Sequence, residues 1–404
     1  MIKKTHIVLL IIVIAFVLAF DALALTSVAK YAKYFSMALS AVGFGIFGFY
    51  FRKFPKIIRQ FGVLFTLLLV ISIISANLIH NQSYFSGIIA SSSITIVGSS
   101  FLIYYLLIKY SISLETAKRS ILTASWVFLV LFAFLYAIHI QFPSSSGENI
   151  FGFQSLRKGI INLGAIIYLT QFFKRNHFKY IVFAILLFSV NHWADFQRYI
   201  LFVFIMCLGA LLFNYRNRTV GLKVMAIVIF IVPVVATVFS TTEFGQEFTK
   251  KINNVFELFE EDSENYTDSS IAIRVTQSVF AIKNIAKYPL TGVGRIRSSE
   301  KDKVTDTKYF HVSDIGLIGI LYSYGLFGFL IFLKQCQYLW KALARGALIR
   351  ESINAEFKIF LLFLIIHTIL TGRSLNSPGE FMCILVLIEV GRHQLQNKII
   401  ADVE

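Results

Sequence analysis

The sequence predicts an all-α polytopic membrane protein. Of its 404 residues, 57% are hydrophobic and only 15% are charged, and the chain holds 42 Phe but 5 Pro. Soluble proteins of this length do not combine so much apolar sequence with so few charges. Apolar runs of about 20 residues, the length a helix needs to cross a bilayer, recur along the whole chain. We therefore predict about twelve transmembrane helices.

The first span follows the N-terminal Met1-Ile-Lys-Lys and covers about 6–25. Ala22-Leu-Ala24 has the pattern of a signal-peptidase site, but the apolar run is long for a signal peptide and another span follows at once. We expect an uncleaved span. The other predicted spans are 35–51, 61–79, 86–108, 120–141, 159–173, 180–193, 197–213, 222–240, 312–333, 358–371 and 380–395.

The loop charges orient these spans. The net charge of +16 could indicate a nucleic-acid partner, but most of the excess lies in short loops between spans. With this count, 22 Lys and Arg fall in one set of loops and 6 in the short loops of the opposite set. Short cytoplasmic loops carry the basic excess. We therefore predict that both termini are cytoplasmic and that no nucleic acid is bound.

A long polar segment, 241–311, divides the chain into spans one to nine (1–240) and spans ten to twelve with a cytoplasmic C-terminus (312–404). The topology puts this segment outside the cytoplasm. Its first half is acidic, and its second half, 274–308, is basic. Apolar residues at helical spacing predict an amphipathic helix from about Ser270 to Lys287, capped by Ser269 or Ser270 and ended by Pro289.

Four arginines are candidate ligands of a phosphate, because a guanidinium fork matches phosphate oxygens. Arg198 stands at the outer end of a predicted span, Arg274 in the first turn of the amphipathic helix, and Arg295 and Arg297 after it. Each also has a plainer interpretation. Arg198 could reach the interface or pair with Asp195, and the other three could be solvated loop charges.

His311 and Asp314 stand three residues apart at the start of the tenth span, on one helical face. Either could be a general base, or an interfacial His and a helix cap. No third ligand stands at a spacing that suits a metal, so we predict no metal site. Gly292-Val-Gly294 predicts a tight turn; its N–H groups could face an anion, but ordinary turn geometry is the simpler interpretation. Nothing indicates another cofactor.

Taken together, these residues resemble the superfamily of O-antigen ligases and Wzy-type O-antigen polymerases. The resemblance rests on an early Arg, on Tyr288-Pro289-Leu-Thr-Gly292-Val-Gly294, on His311-Val-Ser-Asp314, and on Gly325-Leu-Phe-Gly328 within a span. In the ligase pattern a His stands eleven residues before the Gly-x-x-Gly. Here that position is Asp314, which looks more like the polymerase branch.

The resemblance implies a metal-independent glycosyltransferase of the GT-C type in the bacterial inner membrane. It would transfer a growing glycan from undecaprenyl pyrophosphate to a lipid-linked repeat unit at the outer face, and a flippase and a chain-length regulator would be its partners. Arg198, Arg274, Arg295 and Arg297 would hold the pyrophosphate, and Asp314 or His311 would act at the acceptor. Ligation to lipid A–core and transport of lipid-linked sugars stay open as alternatives.

Overall fold

The computed structural model describes residues 4–19, 26–138, 141–143, 149–151, 159–175, 177–194, 269–297, 312, 315–344, 354–371, 375 and 378–401. These residues are almost entirely helical, and they form the helices α1 (Lys4–Ala19), α2 (Thr26–Phe49), α3 (Lys56–His80), α4 (Tyr84–Ala90), α5 (Ser92–Thr95), α6 (Val97–Lys109), α7 (Leu114–Ala137), α8 (Gly159–Arg175), α9 (Phe178–Ala194), α10 (Ser269–Lys287), α11 (Gly316–Ala344), α12 (Ala355–Thr371) and α13 (Pro378–Ala401). The helical membrane class is thereby confirmed.

Four helical stretches of the described chain are long and apolar enough to cross a membrane, namely Lys56–His80, Ser92–Lys109, Leu114–Ala137 and Gly316–Ala342. Shorter apolar helices lie at Val8–Val17, Tyr34–Phe49, Gly159–Phe172 and Phe178–Phe188. The predicted spans 197–213 and 222–240 lie outside the described residues. The number of spans therefore stays a prediction, although helices occupy the other predicted positions.

Several helix ends differ from the predicted bounds, and two predicted spans also differ in their secondary structure. The span predicted at 86–108 is three helices, α4 to α6, because the chain breaks at Ser91 and again at Ile96. Serine hydroxyls compete for backbone groups, and Ser91 to Ser93 stand at the first break. The span predicted to reach residue 141 ends at Ala137, and Gln141–Pro143 pairs as a short antiparallel strand with Asn149–Phe151.

The core is centred on α13. Its residues Phe381 to Ile388 are completely buried, although an isolated membrane helix would expose most of them to lipid. It packs against α6, α12 and α3, while α6 also contacts α1 and α2. Phe61 and Phe65 of α3 meet the ring of Phe381 edge to face. A helix that is apolar all round is expected at the centre of such a bundle.

One end of the bundle collects charges from loops predicted to be cytoplasmic. Lys118 of α7 pairs with Glu356 at the start of α12, whose other carboxylate oxygen lies 3.5 Å from Lys174 Nζ of α8. Gln394 of α13 bonds to the segment that joins α6 to α7. The α6–α7 segment, the end of α8, the start of α12 and the end of α13 therefore lie on the same side of the bundle, as the distribution of basic residues predicted.

Candidate active site

The candidate site lies at the C-terminal end of α3, away from the ion cluster of Lys118 and Glu356. There α10 ends and the turn 288–294 begins. Helix α10 confirms the predicted amphipathic helix, but it begins at Ser269, which puts Arg274 in its second turn. Ala281 and Phe280 pack with Val293 and Tyr322 in a small apolar cluster. Val279 and Ile282, from the predicted apolar stripe, are about half exposed. The described part of that stripe therefore faces away from the bundle, while the neighbouring face of α10 packs against it.

The turn crosses a break in α11 at Gly325, which has φ 60° and ψ −157°. Four backbone hydrogen bonds join the two segments. Val293 and Gly294 donate to the carbonyls of Tyr322 and Ser323 at 2.9 and 3.0 Å, and Leu326 and Phe327 donate to those of Pro289 and Leu290 at 2.8 and 3.2 Å. A broken membrane helix needs such partners, because lipid offers none.

Glycines make this crossing sterically possible. A Cβ on Gly292 would lie 2.5 Å from the Tyr324 nitrogen, and one on Gly325 would lie 2.5 Å from the carbonyl carbon of Leu290. A Cβ on Gly294 would lie 2.3 Å from the carbonyl oxygen of Ser72 in α3. All three also have positive φ, which L side chains rarely adopt.

The same hydrogen bonds decide between the two interpretations of Gly292-Val-Gly294. The N–H of Gly292 donates to the carbonyl of Tyr288, and those of Val293 and Gly294 donate across to α11. These N–H groups are therefore engaged within the protein. The segment is a turn that docks on a broken helix, and it is not a nest for an anion.

Arg295 lies inside the site and joins three elements. Its N–H donates to the Ser72 hydroxyl at 3.0 Å, and its Nη1 lies 3.1 Å from the hydroxyl of Ser93 and 3.4 Å from that of Tyr324. Ser72 in turn lies 3.3 Å from the Ser91 hydroxyl. Of the two hydroxyls at this guanidinium, that of Ser93 comes from α5, just after the α4–α5 break, and that of Tyr324 comes from α11. Tyr324 can turn toward it because Gly328, one turn later, has no Cβ to meet its side chain.

Arg297 is held differently. Its N–H donates to Oε1 of Gln82 at 2.9 Å, and its guanidinium has one long contact, Nη1 to the Ser86 hydroxyl at 3.4 Å. It forms no ion pair with any carboxylate of the described residues. A guanidinium has five N–H donors. Among the described residues, the positive charge of Arg297 at the edge of the site therefore has no carboxylate partner, and most of its N–H donors have no acceptor.

The other predicted site residues lie outside the described part. Arg198, His311 and Asp314 are not described, and Arg274 is placed only by its backbone in α10. The structure thus brings together Arg295 and Arg297 from the predicted set. It adds residues that the prediction missed, namely Gln82, Ser72, Ser86, Ser93 and Tyr324. Polar residues inside an apolar run, such as Ser91 to Ser93, were the available signal for this surface.

Within the described part of the chain, no group of three or more His, Cys, Asp or Glu is arranged to hold a metal ion. The chemistry that the described atoms support is therefore anion binding by arginine beside a set of hydroxyls.

Comparison with known proteins gives one finding about this region. Residues 183–333 match the family model described as O-antigen ligase. No curated protein matches the chain. The matched residues include α10, the turn with its two arginines, and the break in α11, and members of this family are glycosyltransferase-like enzymes. This match over residues 183–333 supports a relationship to the superfamily of O-antigen ligases and Wzy-type polymerases, and it does not distinguish the two branches.

Proposed function

We propose that this protein polymerises a bacterial surface glycan such as O-antigen. It would transfer a growing glycan from undecaprenyl pyrophosphate to a single lipid-linked repeat unit at the outer face of the inner membrane. The observation that carries the proposal is the position of Arg297. This arginine lies in the family-matched segment, has no ion pair within the described residues, and is held by Gln82 beside the Ser86 hydroxyl at one end of the bundle.

The proposed transfer needs two things from the protein: a group that stabilises the leaving pyrophosphate and a base for the acceptor hydroxyl. When the glycosidic bond to the lipid carrier breaks, negative charge develops on the pyrophosphate leaving group. A fixed guanidinium in a water-poor site stabilises such charge strongly. Arg297 is the principal ligand in this proposal, and Arg198 and Arg274 complete the set. One acceptor hydroxyl must lose a proton, for which we propose Asp314 or His311.

The proposed reaction uses no metal and no nucleotide, since the activated donor is already a pyrophosphate ester. Purified protein should accordingly retain its activity in EDTA. A rate that falls with EDTA and returns with Mg²⁺ would contradict this part of the proposal.

The proposed orientation follows from the two ends of the bundle. Arg295 and Arg297 lie at the end of α3 that is opposite to Arg52, Lys53 and Lys56. If the basic loops are cytoplasmic, the site faces outward, where lipid-linked repeat units are assembled into polymer. The segment 241–311 would then be periplasmic, between spans 1–240 and 312–404, and both termini cytoplasmic.

Ligation of finished glycan to lipid A–core is the second candidate, because the matched family model is described as O-antigen ligase. Both reactions release the same pyrophosphate, so the described arginines fit either one. The residue eleven positions before Gly325 is Asp314 rather than His, and this difference favours the polymerase.

The glycans of a deletion strain separate these functions. Loss of the polymerase leaves surface lipopolysaccharide capped with one repeat unit. Loss of the ligase leaves long polymer on the lipid carrier, and loss of a flippase traps single repeat units on the cytoplasmic face. We expect the first result, reversed by the wild-type gene but not by Arg297→Ala or Arg274→Ala. Either of the other two patterns would overturn the proposal.

A further inference from the structure

Gln82 makes a two-sided contact with the backbone that carries the two arginines. Its Oε1 accepts the N–H of Arg297 at 2.9 Å, and its Nε2 donates to the carbonyl oxygen of Arg295 at 3.0 Å. The side chain is only 2% exposed. A single buried amide thus provides hydrogen-bond partners for the backbone carbonyl before Ile296 and the backbone N–H after it, as a neighbouring β-strand would.

Gln82 is itself fixed at the end of α3. Its N–H bonds to the Ala76 carbonyl at 3.3 Å, and its own carbonyl accepts from Asn77 Nδ2 at 2.9 Å. The preceding residue, Asn81, adopts the left-handed conformation that ends many helices. The amide therefore extends from a rigid helix end and not from a loose loop.

The consequence differs for the two arginines. Arg295 is also held by the hydroxyls of Ser72, Ser93 and Tyr324, so it keeps partners without Gln82. Within the part of the chain that the structure describes, Arg297 has only the 3.4 Å contact with Ser86 besides the Gln82 bond. Of the two, Arg297 depends more on Gln82 for its position.

We infer that Gln82 is a positioning residue for pyrophosphate binding, which it serves through Arg297 without touching the substrate. This inference rests on the proposed function of Arg297. Because Gln82 precedes Arg297 by 215 residues, only the folded structure relates them. Holding the backbone at residue 297 fixes where the guanidinium meets the lipid-linked pyrophosphate, and this geometric control is the part of catalysis that supporting residues supply.

The chain contains a matched control for this contact. Gln394 makes the same pair of bonds at the opposite end of the bundle, accepting from the N–H of Leu114 at 3.0 Å and donating to the carbonyl of Ile112 at 2.8 Å. A substitution at Gln394 removes the same chemistry, far from the site. Any stability lost with such a pair of side-chain to backbone hydrogen bonds should therefore appear in both variants.

The test is a steady-state assay of the full-length protein in nanodiscs with lipid-linked repeat units. Gln82→Met keeps the side-chain volume and removes both hydrogen bonds, and Gln82→Ala is the second variant. We expect both to raise KM for the lipid-linked substrate about tenfold, since lost hydrogen bonds of this kind have about that effect. Gln394→Met should stay within about twofold of wild type, and thermal unfolding of the two Met variants should be similar.

The double variant Gln82→Met/Arg297→Ala decides the mechanism. If Gln82 acts through Arg297, the double variant is no slower than Arg297→Ala alone. Additive losses, or a Gln82→Met variant that behaves like Gln394→Met, would overturn the role of Gln82 and leave that of Arg297 standing. Wild-type kinetics in Arg297→Ala would overturn both.

Discussion

At the scale of the residue, the structure gives Arg295 and Arg297 different roles although they are two positions apart. Arg295 connects α3, the α4–α5 break and α11 through hydroxyl contacts. The Arg297 guanidinium makes a single long contact with the described residues, to the Ser86 hydroxyl. From the sequence alone, both were equal candidates for the pyrophosphate. The hydrogen bonds indicate that the first organises the site and the second is available to bind.

Exchange of each arginine for alanine should separate these roles. Arg295→Ala leaves the half-buried Ser93 hydroxyl and the buried Tyr324 hydroxyl without this donor, and we expect a stability loss of about 1 to 3 kcal/mol. Arg297→Ala should change stability by less than about 0.5 kcal/mol and lower kcat/KM on the order of 100-fold. Thermal unfolding in detergent and the nanodisc assay measure the two quantities. Equal stability losses in the two variants would contradict the assignment of a structural role to Arg295 and a binding role to Arg297.

At the scale of the element, the central feature is the crossing of the turn 288–294 with the broken helix α11. Each segment supplies the hydrogen-bond partners that the other needs inside the membrane. The crossing also explains the glycines of the Pro-x-x-Gly-x-Gly and Gly-x-x-Gly patterns, since Gly292 and Gly325 approach one another backbone to backbone.

Gly325→Ala should therefore disrupt the fold. Its Cβ would lie 2.5 Å from backbone atoms of Leu290, which cannot move aside as a side chain could. We expect a loss of roughly 3 kcal/mol or more, visible as a lower unfolding temperature and a poor yield of folded protein. Gly48→Ala in α2 is the control, because a Cβ there meets nothing within 4 Å and alanine favours helix. Similar behaviour of the two variants would show that the crossing is not tight.

At the scale of the whole molecule, the two ends of the bundle differ in how their charges are paired. The end with Lys118, Lys174 and Glu356 holds an ion cluster in which the Glu356 side chain is 3% exposed. The other end holds the arginine site. The cluster joins α7, α8 and α12, so it contributes to the packing of helices that supply none of the described site residues.

Glu356→Gln should cost stability without changing the chemistry. Glu356→Gln leaves the buried Lys118 beside the exposed carboxylate of Glu115 and removes its buried partner. Breaking a buried pair in this way costs roughly 3 kcal/mol in comparable cases. Lys118→Met/Glu356→Leu removes both charges and should recover most of that loss. Thermal unfolding and kcat of the folded fraction are the measurements. A change in kcat as large as that of Arg297→Ala would show that the cluster takes part in the reaction.

Cysteine labelling can measure which end of the bundle faces the cytoplasm. In a variant without the three native cysteines, Lys287→Cys should react with a membrane-impermeant maleimide in intact spheroplasts. Lys109→Cys should react only after lysis, because it lies in a predicted cytoplasmic loop. The reverse pattern would place the site in the cytoplasm and remove the proposed function.

The class of fold and the helix α10 could be predicted because they depend on local pattern, namely long apolar runs and one proline after an amphipathic stretch. The break at Ser91 to Ser93 was missed because hydropathy averages over it. Gln82 could not be found at all, since its role comes from a contact across more than 200 residues. In the same way, two arginines of equal appearance acquire different roles only through Ser93, Tyr324 and Ser86.

The most direct test of the central claim is polymerisation by the purified protein. Full-length protein in nanodiscs, given only undecaprenyl-pyrophosphate-linked single repeat units, should produce a ladder of longer glycans and release undecaprenyl pyrophosphate. Arg297→Ala should give little or no ladder while remaining folded. An absence of elongation by the wild type, or an unchanged ladder from Arg297→Ala, would contradict the account.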